Sequence, residues 1–178
     1  MELKYQNNNI RIRPYVDDDI EKLYECVISS QPEFRQYLPW ANTEYKLEHS
    51  KAWVSWADYN WRSRWQYDFV IEAIHSGEFL GGVGLLEVDF YSKQAKLGYW
   101  LATAHTGKGL TTQAAQLAME FGRKELGLEK LIIRIAEDTL ASKKIAEKLG
   151  AVYVGVEPTK EFHNNRWQEV WVYELLLV

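Results

Sequence analysis

The chain has 178 residues, 47% of them hydrophobic and 26% charged, enough for one globular domain with its own core and too few for two ordinary ones. A formal net charge of −4, with no block of lysine or arginine, argues against nucleic acid as a partner, since a polyanion calls for a basic surface. No apolar run approaches membrane-spanning length, residues 1–9 lack the apolar stretch of a signal peptide, and Cys26 as the single cysteine allows no intrachain disulfide; a soluble cytoplasmic protein is expected, and no membrane partner.

Ile10-Arg11-Ile12-Arg13-Pro14 alternates apolar and charged residues and stops at a proline, which suits an edge strand. Asp17-Asp18-Asp19 offers caps for a helix with Ile20, Leu23, Tyr24 and Val27 on its buried side, and Cys26 reads as packing within it. Pro32 and Pro39 bracket an irregular or short helical stretch ending in Tyr37-Leu38-Pro39-Trp40, and a second long helix is expected from about Tyr45 to Arg64. Within and after it, Trp53, Trp56, Trp61 and Trp65 fall at near-helical spacing, a pattern read first as core packing.

From here the period becomes extended. Phe69-Val70-Ile71 and Val83-Gly84-Leu85-Leu86 read as strands joined through a turn at Ser76-Gly77, and residues 93–101 as a third. Apolar residues at 110, 114, 117, 118 and 121 mark one face of a helix from Leu110 to about Lys124. Leu131-Ile132-Ile133-Arg134-Ile135 is a buried strand by composition. Thr139 to Leu149 returns to helix, with Ala141, Ile145 and Leu149 on one side and Gly150 as its stop. Two strands near 151–158 and 168–177 complete the order β-α-α-β-β-β-α-β-α-β-β. It describes a single α/β domain over residues 1–178, helices flanking a mixed, mostly antiparallel sheet, in which strands 93–101 and 131–137 form one βαβ unit and can lie parallel.

The segment Leu97-Gly98-Tyr99-Trp100-Leu101-Ala102-Thr103-Ala104-His105-Thr106-Gly107-Lys108-Gly109-Leu110-Thr111-Thr112 runs from a strand through a glycine turn straight into an amphipathic helix. The first turn of a helix presents unpaired N–H groups and a positive dipole end to an anion, and glycines let the backbone come close to a phosphate. Lys108 adds a cation, and Thr111 and Thr112 add hydroxyls. A P-loop would place Ser or Thr after the lysine, where Gly109 stands, and a Rossmann loop would place its third glycine at Thr112; neither fits. A glycine turn that merely caps a helix remains open on this loop taken alone.

Gly107-x-Gly109 in this setting resembles the second half of the (Gln/Arg)-x-x-Gly-x-(Gly/Ala) signature of GNAT acetyltransferases. Gly98-Tyr99-Trp100-Leu101, Gly107-Lys108-Gly109-Leu110, Thr112-Gln113-Ala114, Leu38-Pro39-Trp40, Ala141-Ser142, Glu147-Lys148-Leu149-Gly150 and Asn165-Arg166-Trp167 before Tyr173 are, in that setting, similar to the RimJ/RimL-like subgroup, and the matches extend over residues 10–175. The resemblance implies acetyl-CoA as co-substrate, no metal, and a primary amine as acceptor, foremost a protein N-terminal amine. Strands 97–101 and 131–136 would splay apart to admit the pantetheine arm, pairing with it near Trp100 and Leu101. Thr106, Gly107, Lys108, Gly109, Leu110, Thr111 and Thr112 would hold the pyrophosphate.

Three positions depart from the family pattern. Ala104 stands for the leading Gln/Arg, Thr139 for the usual Asn at the start of the following helix, and Ala151 for the usual Phe. The resemblance makes Ser142 the proton donor to the departing thiolate and Glu161, before His163-Asn164-Asn165, the base. Glu87 and His163 stand in reserve. Trp40 and Tyr99 are acceptor-side candidates, with Glu87. His49, His75, His105 and His163 show no ligand spacing, so no metal is assigned; His105 beside the turn reads as a solvated loop residue. The rival readings are a small-amine acetyltransferase and a non-catalytic CoA-binding module on the same fold. A homodimer is expected through the final apolar strand, Val170 to Val178, as an exposed edge.

Overall fold

The computed structural model describes residues 5–42, 44–137, 139–158, 160–163 and 166–177. Its elements are β1 (Tyr5–Gln6), β2 (Ile10–Pro14), α1 (Asp19–Tyr37), α2 (Leu47–Ser63), β3 (Tyr67–Ala73), β4 (Phe79–Asp89), β5 (Gln94–Leu101), α3 (Leu110–Leu126), β6 (Lys130–Ala136), α4 (Leu140–Lys148), β7 (Val152–Val156), β8 (Glu161–His163), β9 (Arg166–Gln168) and β10 (Val170–Leu176). Eight strands form one sheet in the order β1-β2-β3-β4-β5-β6-β10-β7; β8 and β9 form a separate hairpin. Every pairing in the large sheet is antiparallel except β5 with β6, the two strands joined through α3.

Strand alternation divides the core into two layers. One face sends Ile10, Ile12, Phe69, Ile71, Leu85, Leu97, Leu131 and Ile133 against Ala114, Ala118 and Phe121 of α3. The other sends Val70, Phe79 and Trp100 against Leu23, Val27 and Phe34 of α1 and Val54 and Ala57 of α2. Alanines at 114, 115 and 118 are fully buried, and such small side chains let α3 lie close on the sheet.

Several expectations need correction. α1 runs unbroken through Pro32, whose side is exposed; Val27 and Phe34, buried on either side of it, hold the helix to the sheet across the hydrogen bond that proline cannot make. Asp18 makes no side-chain cap. Asp19 is instead fully buried, receiving two bonds from the Arg13 guanidinium at 2.7 and 2.8 Å and one from Val16 N–H at 2.9 Å. Of the four tryptophans, Trp61 packs on Tyr67, Phe69 and Phe121, while Trp56 and Trp65 are exposed and Trp53 is half-buried. On α4 the buried residue is Ala146, and Ala141 is exposed. The last strand, β10, lies inside the sheet between β6 and β7, so the exposed edge is β7, with Val152, Tyr153, Val154 and Val156 open to solvent.

The Arg13 cluster joins three elements. Its guanidinium also meets Glu72 of β3, with Nε to Oε2 at 2.7 Å, and Glu72 takes Arg11 as well. Breaking such a buried pair from one side strands a charge. Arg13→Ala is expected to cost about 3–5 kcal/mol, read as a lower urea midpoint at neutral pH.

Candidate active site

The parallel ladder between β5 and β6 holds only three pairs, Gln94 with Lys130, Ala95 with Leu131 and Lys96 with Ile132. Beyond Lys96 each strand keeps its other neighbour: β5 stays on β4 as far as Leu101, and β6 stays on β10 as far as Ala136. The two strands therefore part, and a wedge opens between residues 97–101 and 133–136. The carbonyl of Lys93 faces β6, and Ala102 N–H faces β4. By alternation, and with the Ala136 carbonyl already taken by Thr139 N–H at 2.9 Å, the backbone of Tyr99 and Leu101 on one side and of Arg134 on the other lines the wedge. These are strand groups without a strand to bond, ready for an extended ligand that carries amides.

The glycine turn stands at the open end. Gly107 and Gly109 have φ of +78° and +72°, the left-handed region that a side chain disfavours, and a Cβ built on either meets nothing within 4 Å. Thr106, Gly107, Lys108 and Gly109 are exposed, and Leu110, Thr111 and Thr112 are half-buried at the start of α3. Gln113 N–H closes the first helical bond on Gly109 O, leaving the N–H groups before it directed outward. The turn is held in place from two sides: Ser30 Oγ of α1 accepts from Thr103 N–H at 3.0 Å, and His105 lies 3.2 Å from Glu78, just before β4. A diphosphate fits such a cradle, and amides of a pantetheine arm fit the wedge.

Ser142 and Thr139 are half-buried at the N-terminal end of α4. Tyr99 crosses to the same place: its hydroxyl donates to Ser142 O at 3.3 Å. Burial pushes the Tyr99 phenol above its usual range, so it stays protonated. Tyr99 thus lies on the α3 and α4 side of the sheet, whereas Trp100 points to the α1 side. There Trp100 meets Phe34, Phe79 and Trp40 at ring-centre distances of 5.6, 6.1 and 6.1 Å. Trp40, 43% exposed, forms the outer end of this aromatic wall. The structure brings Trp40 to Trp100 and Tyr99 to Ser142, on opposite faces of the wedge.

Charged groups line the α1 side of the second half of the sheet. Glu87, at a bulge of β4 with φ of +49°, pairs with Lys96 at 2.6 Å. Arg134 of β6 binds Glu157 through two nitrogens at 2.5 and 2.6 Å and Glu161 at 2.6 Å, tying the β8–β9 hairpin to the wedge. Glu161, the expected base, is therefore engaged by a guanidinium. Asn164, Asn165 and the side chain of His163 lie outside the described residues. Among the described residues no three His, Cys, Asp or Glu come together as a metal site, and no helix is long and apolar enough to cross a membrane.

Comparison with known proteins decides the family. Residues 9–152 match the model of the acetyltransferase (GNAT) domain. The chain belongs to the GNAT acetyltransferase family. A putative ribosomal N-acetyltransferase, YdaF of Bacillus subtilis (strain 168), is 26% identical over 172 residues, 96% of this chain and 92% of its own. The spermidine N(1)-acetyltransferase of Escherichia coli (strain K12) is 32% identical over 100 residues, 56% of this chain and 53% of its own. Among solved structures, RimL, a ribosomal L7/L12 alpha-N-protein acetyltransferase in complex with coenzyme A, superposes with a TM-score of 0.89 at 19% identity, covering 96% of this chain and 95% of that one. This GNAT enzyme is an acetyltransferase on a mixed, mostly antiparallel sheet with one parallel pair.

Arg134, Glu157 and Ser30 had no local signal in the sequence; each acts across 23 residues or more, and only the fold pairs them. Arg134 holds the Glu157 carboxyl below its ordinary 4.5. A lowered carboxyl adds stability above its unfolded value and loses it as pH falls through the folded one. Glu157→Gln is expected to unfold at lower urea than the natural protein at pH 6, with the difference closing as pH falls well below 4.5.

Proposed function

We propose that this GNAT enzyme transfers the acetyl group of acetyl-CoA to a primary amine at the N-terminus of a protein or peptide. The observation that carries the reading is the three-pair ladder of β5 and β6 opening toward the glycine turn. The pantetheine arm pairs with backbone near Trp100 and Leu101. The turn from Thr106 to Gly109, with Lys108 and the first residues of α3, Leu110, Thr111 and Thr112, takes the pyrophosphate. Thr139 and Ser142 face the arm from α4, where Ser142 supplies the proton for the departing thiolate.

The acceptor approaches from the other face, past Trp40 and the carboxylates of Glu87 and Glu161. A protein α-amine has a pKa near 8, so it gives up its proton more easily than a lysine near 10.4. The ion pair of Glu161 with Arg134 suits a carboxylate that orients the incoming ammonium. Likeness to a ribosomal N-acetyltransferase over nearly the whole chain favours a protein acceptor. The match to spermidine acetyltransferase over 100 residues supports a small polyamine as the second reading. Cys26, buried and unpaired, suits a reducing compartment, and we assign the enzyme to the cytoplasm.

Calorimetric titration with acetyl-CoA tests the site. Gly109→Trp places a large side chain where the backbone must meet phosphate and where φ disfavours any Cβ. The natural protein is expected to bind in the micromolar range, and the variant at least tenfold more weakly, a loss of about 1.4 kcal/mol or more. Absence of binding to the natural protein removes the reading. Binding without acetylation of a peptide amine or spermidine leaves a CoA-binding module instead.

We assign the open edge of β7 to a second copy of the chain. Val152-Tyr153-Val154-Gly155-Val156 carries no charge to protect an edge, and its apolar side chains are exposed. Light scattering is expected to give the mass of a dimer, and Val154→Lys that of a monomer.

A further inference from the structure

The α1 side of the sheet holds a carboxyl group that none of the roles above employs. Asp68 stands in β3 between Tyr67 and Phe69, and its side chain leaves from the opposite face, the one that carries Val70 and Trp100. It is 4% exposed. Gln66 Nε2 donates to Oδ2 at 2.7 Å. The cations of the neighbouring elements are committed elsewhere: Arg13 to Asp19 and Glu72, and Lys96 to Glu87. A buried carboxylate without a cation is costly to keep ionised. Such groups cluster where a reaction needs them.

Its position relates it to the wedge. The strand register sets Asp68 opposite Gly84, and Gly84 opposite Gly98, so the three form one row across β3, β4 and β5. Gly98 lies two residues past Lys96, where β6 has left β5 and the wedge has opened. A Cβ built on Gly84 would fall 2.8 Å from Asp68 Oδ1, so the carboxyl lies across Gly84, leaning along the row toward the wedge. Neighbouring strands are about 4.8 Å apart, which leaves Oδ1 one strand spacing from Gly98. Between the carboxyl and the place where the thioester would lie stand two residues without side chains and, over both of them, the Leu86 side chain, 3.1 Å from each built Cβ position, so the acceptor nitrogen reaches Oδ1 when that side chain turns aside.

We propose that Asp68 is the base that accepts the proton of the acceptor amine, an inference that rests on the acetyl-transfer reading above. The ammonium gives one proton to Oδ1, leaving a neutral carboxyl and a free lone pair on nitrogen. The nitrogen then attacks the thioester carbonyl carbon, the C–N bond forms and the C–S bond breaks. The second surplus N–H proton ends on sulfur, through the Ser142 hydroxyl, and Asp68 returns its own proton to water. Glu161, held by Arg134, orients the acceptor and leaves proton transfer to Asp68.

Burial raises the Asp68 carboxyl to about 6, against the opposing hydrogen bond from Gln66. That value keeps it ionised at neutral pH and still basic enough to take a proton. The titratable groups on the elements packed about it are Tyr15 after β2, Cys26 and Asp19 of α1, Arg13 of β2, Glu72 of β3, Glu87 of β4 and Lys96 of β5, while α2 turns Ser50, Val54, Ala57 and Asn60 inward, none of them titratable. Burial pushes the Tyr15 phenol well above its usual range and the Cys26 thiol up to about 12, so neither titrates near neutrality.

Asp68→Asn tests the proposal against the natural protein, with a short peptide bearing a free α-amine and spermidine as probe amines. Acetyl-CoA affinity by calorimetry is expected to stay within about twofold, and thermal stability at about pH 8 to be equal or higher, because a buried charge is gone. The kcat on the better probe should fall about 100-fold or more, and its rise near pH 6 should vanish while the amine's own rise near pH 8 persists. Gly84→Ala, which presses a methyl group on Oδ1, should lower kcat about tenfold or more with acetyl-CoA affinity unchanged, while Glu161→Gln should keep the rise near pH 6. An Asp68→Asn enzyme within about threefold of the natural kcat, with that rise intact, overturns the proposal, as does a fully active Gly84→Ala enzyme. A natural protein that binds no acetyl-CoA, or binds it and acetylates neither probe, overturns instead the reading on which the proposal rests.

Discussion

The site depends on where one ladder stops. Backbone groups inside a sheet must find partners, and β5 and β6 exchange bonds over only three pairs before each is kept by its other neighbour. The wedge is thus the outcome of two competing alignments. β4 holds β5 along its whole length, β10 holds β6, and the twist between them cannot be shared. What remains is a pair of strand edges inside the domain, with α3 across one face and an aromatic layer across part of the other. An exposed edge invites any strand. This one is enclosed, a shape that suits a narrow amide-bearing arm better than a further strand of sheet.

From that gap the two faces divide the work. On the α3 and α4 side lie the glycine turn, Thr139 and Ser142, to which we assign the phosphates and the thiol end, and the Tyr99 hydroxyl bonded across to Ser142 O. On the α1 side lie Trp40, Trp100 and the carboxylates. That division suits an anionic co-substrate at helix N–H groups and Lys108, and a cationic acceptor at acidic and aromatic side chains. The chain's net charge of −4 describes neither surface, because the two are of opposite character and are separated by the thickness of the sheet.

Local signals were legible in the sequence and distant ones were not. The strand, glycine turn and helix of residues 97–124 follow from short-range pattern, and so does the parallel pairing, since a βαβ connection leaves little choice. Pro32 misled because a proline is read as a break, whereas packing by Val27 and Phe34 outweighs one missing hydrogen bond. The apolar run of β10 suggests an exposed edge in need of cover; its insertion between β6 and β7 is a long-range pairing that alternation alone does not reveal. The four tryptophans share a near-helical spacing yet differ in burial: Trp56 falls on the outer face of α2, and the left-handed turn at Arg64, with φ of +59°, carries Trp65 beyond the helix. The β8–β9 hairpin is too short for periodicity to register.

Asp68 shows why the acceptor side resists reading from sequence more than the cofactor side does. Within Tyr67-Asp68-Phe69-Val70-Ile71 a single acid looks like the solvated face of a strand, and alternation would assign it to water. In the fold that face is covered by α1 and α2, so the same alternation buries it. Its companions Gly84 and Gly98 look equally uninformative: Gly84 is one of three glycines in β4 and Gly98 stands alone in β5, and a glycine within a strand suggests a bulge or close packing. Register makes them a row, and only the row gives the carboxyl a direction. The contacts we assign to the co-substrate are largely backbone ones, which a short motif can encode. The side chains we assign to the amine come from β3, β4 and a distant hairpin, and their relation exists only once the strands are paired.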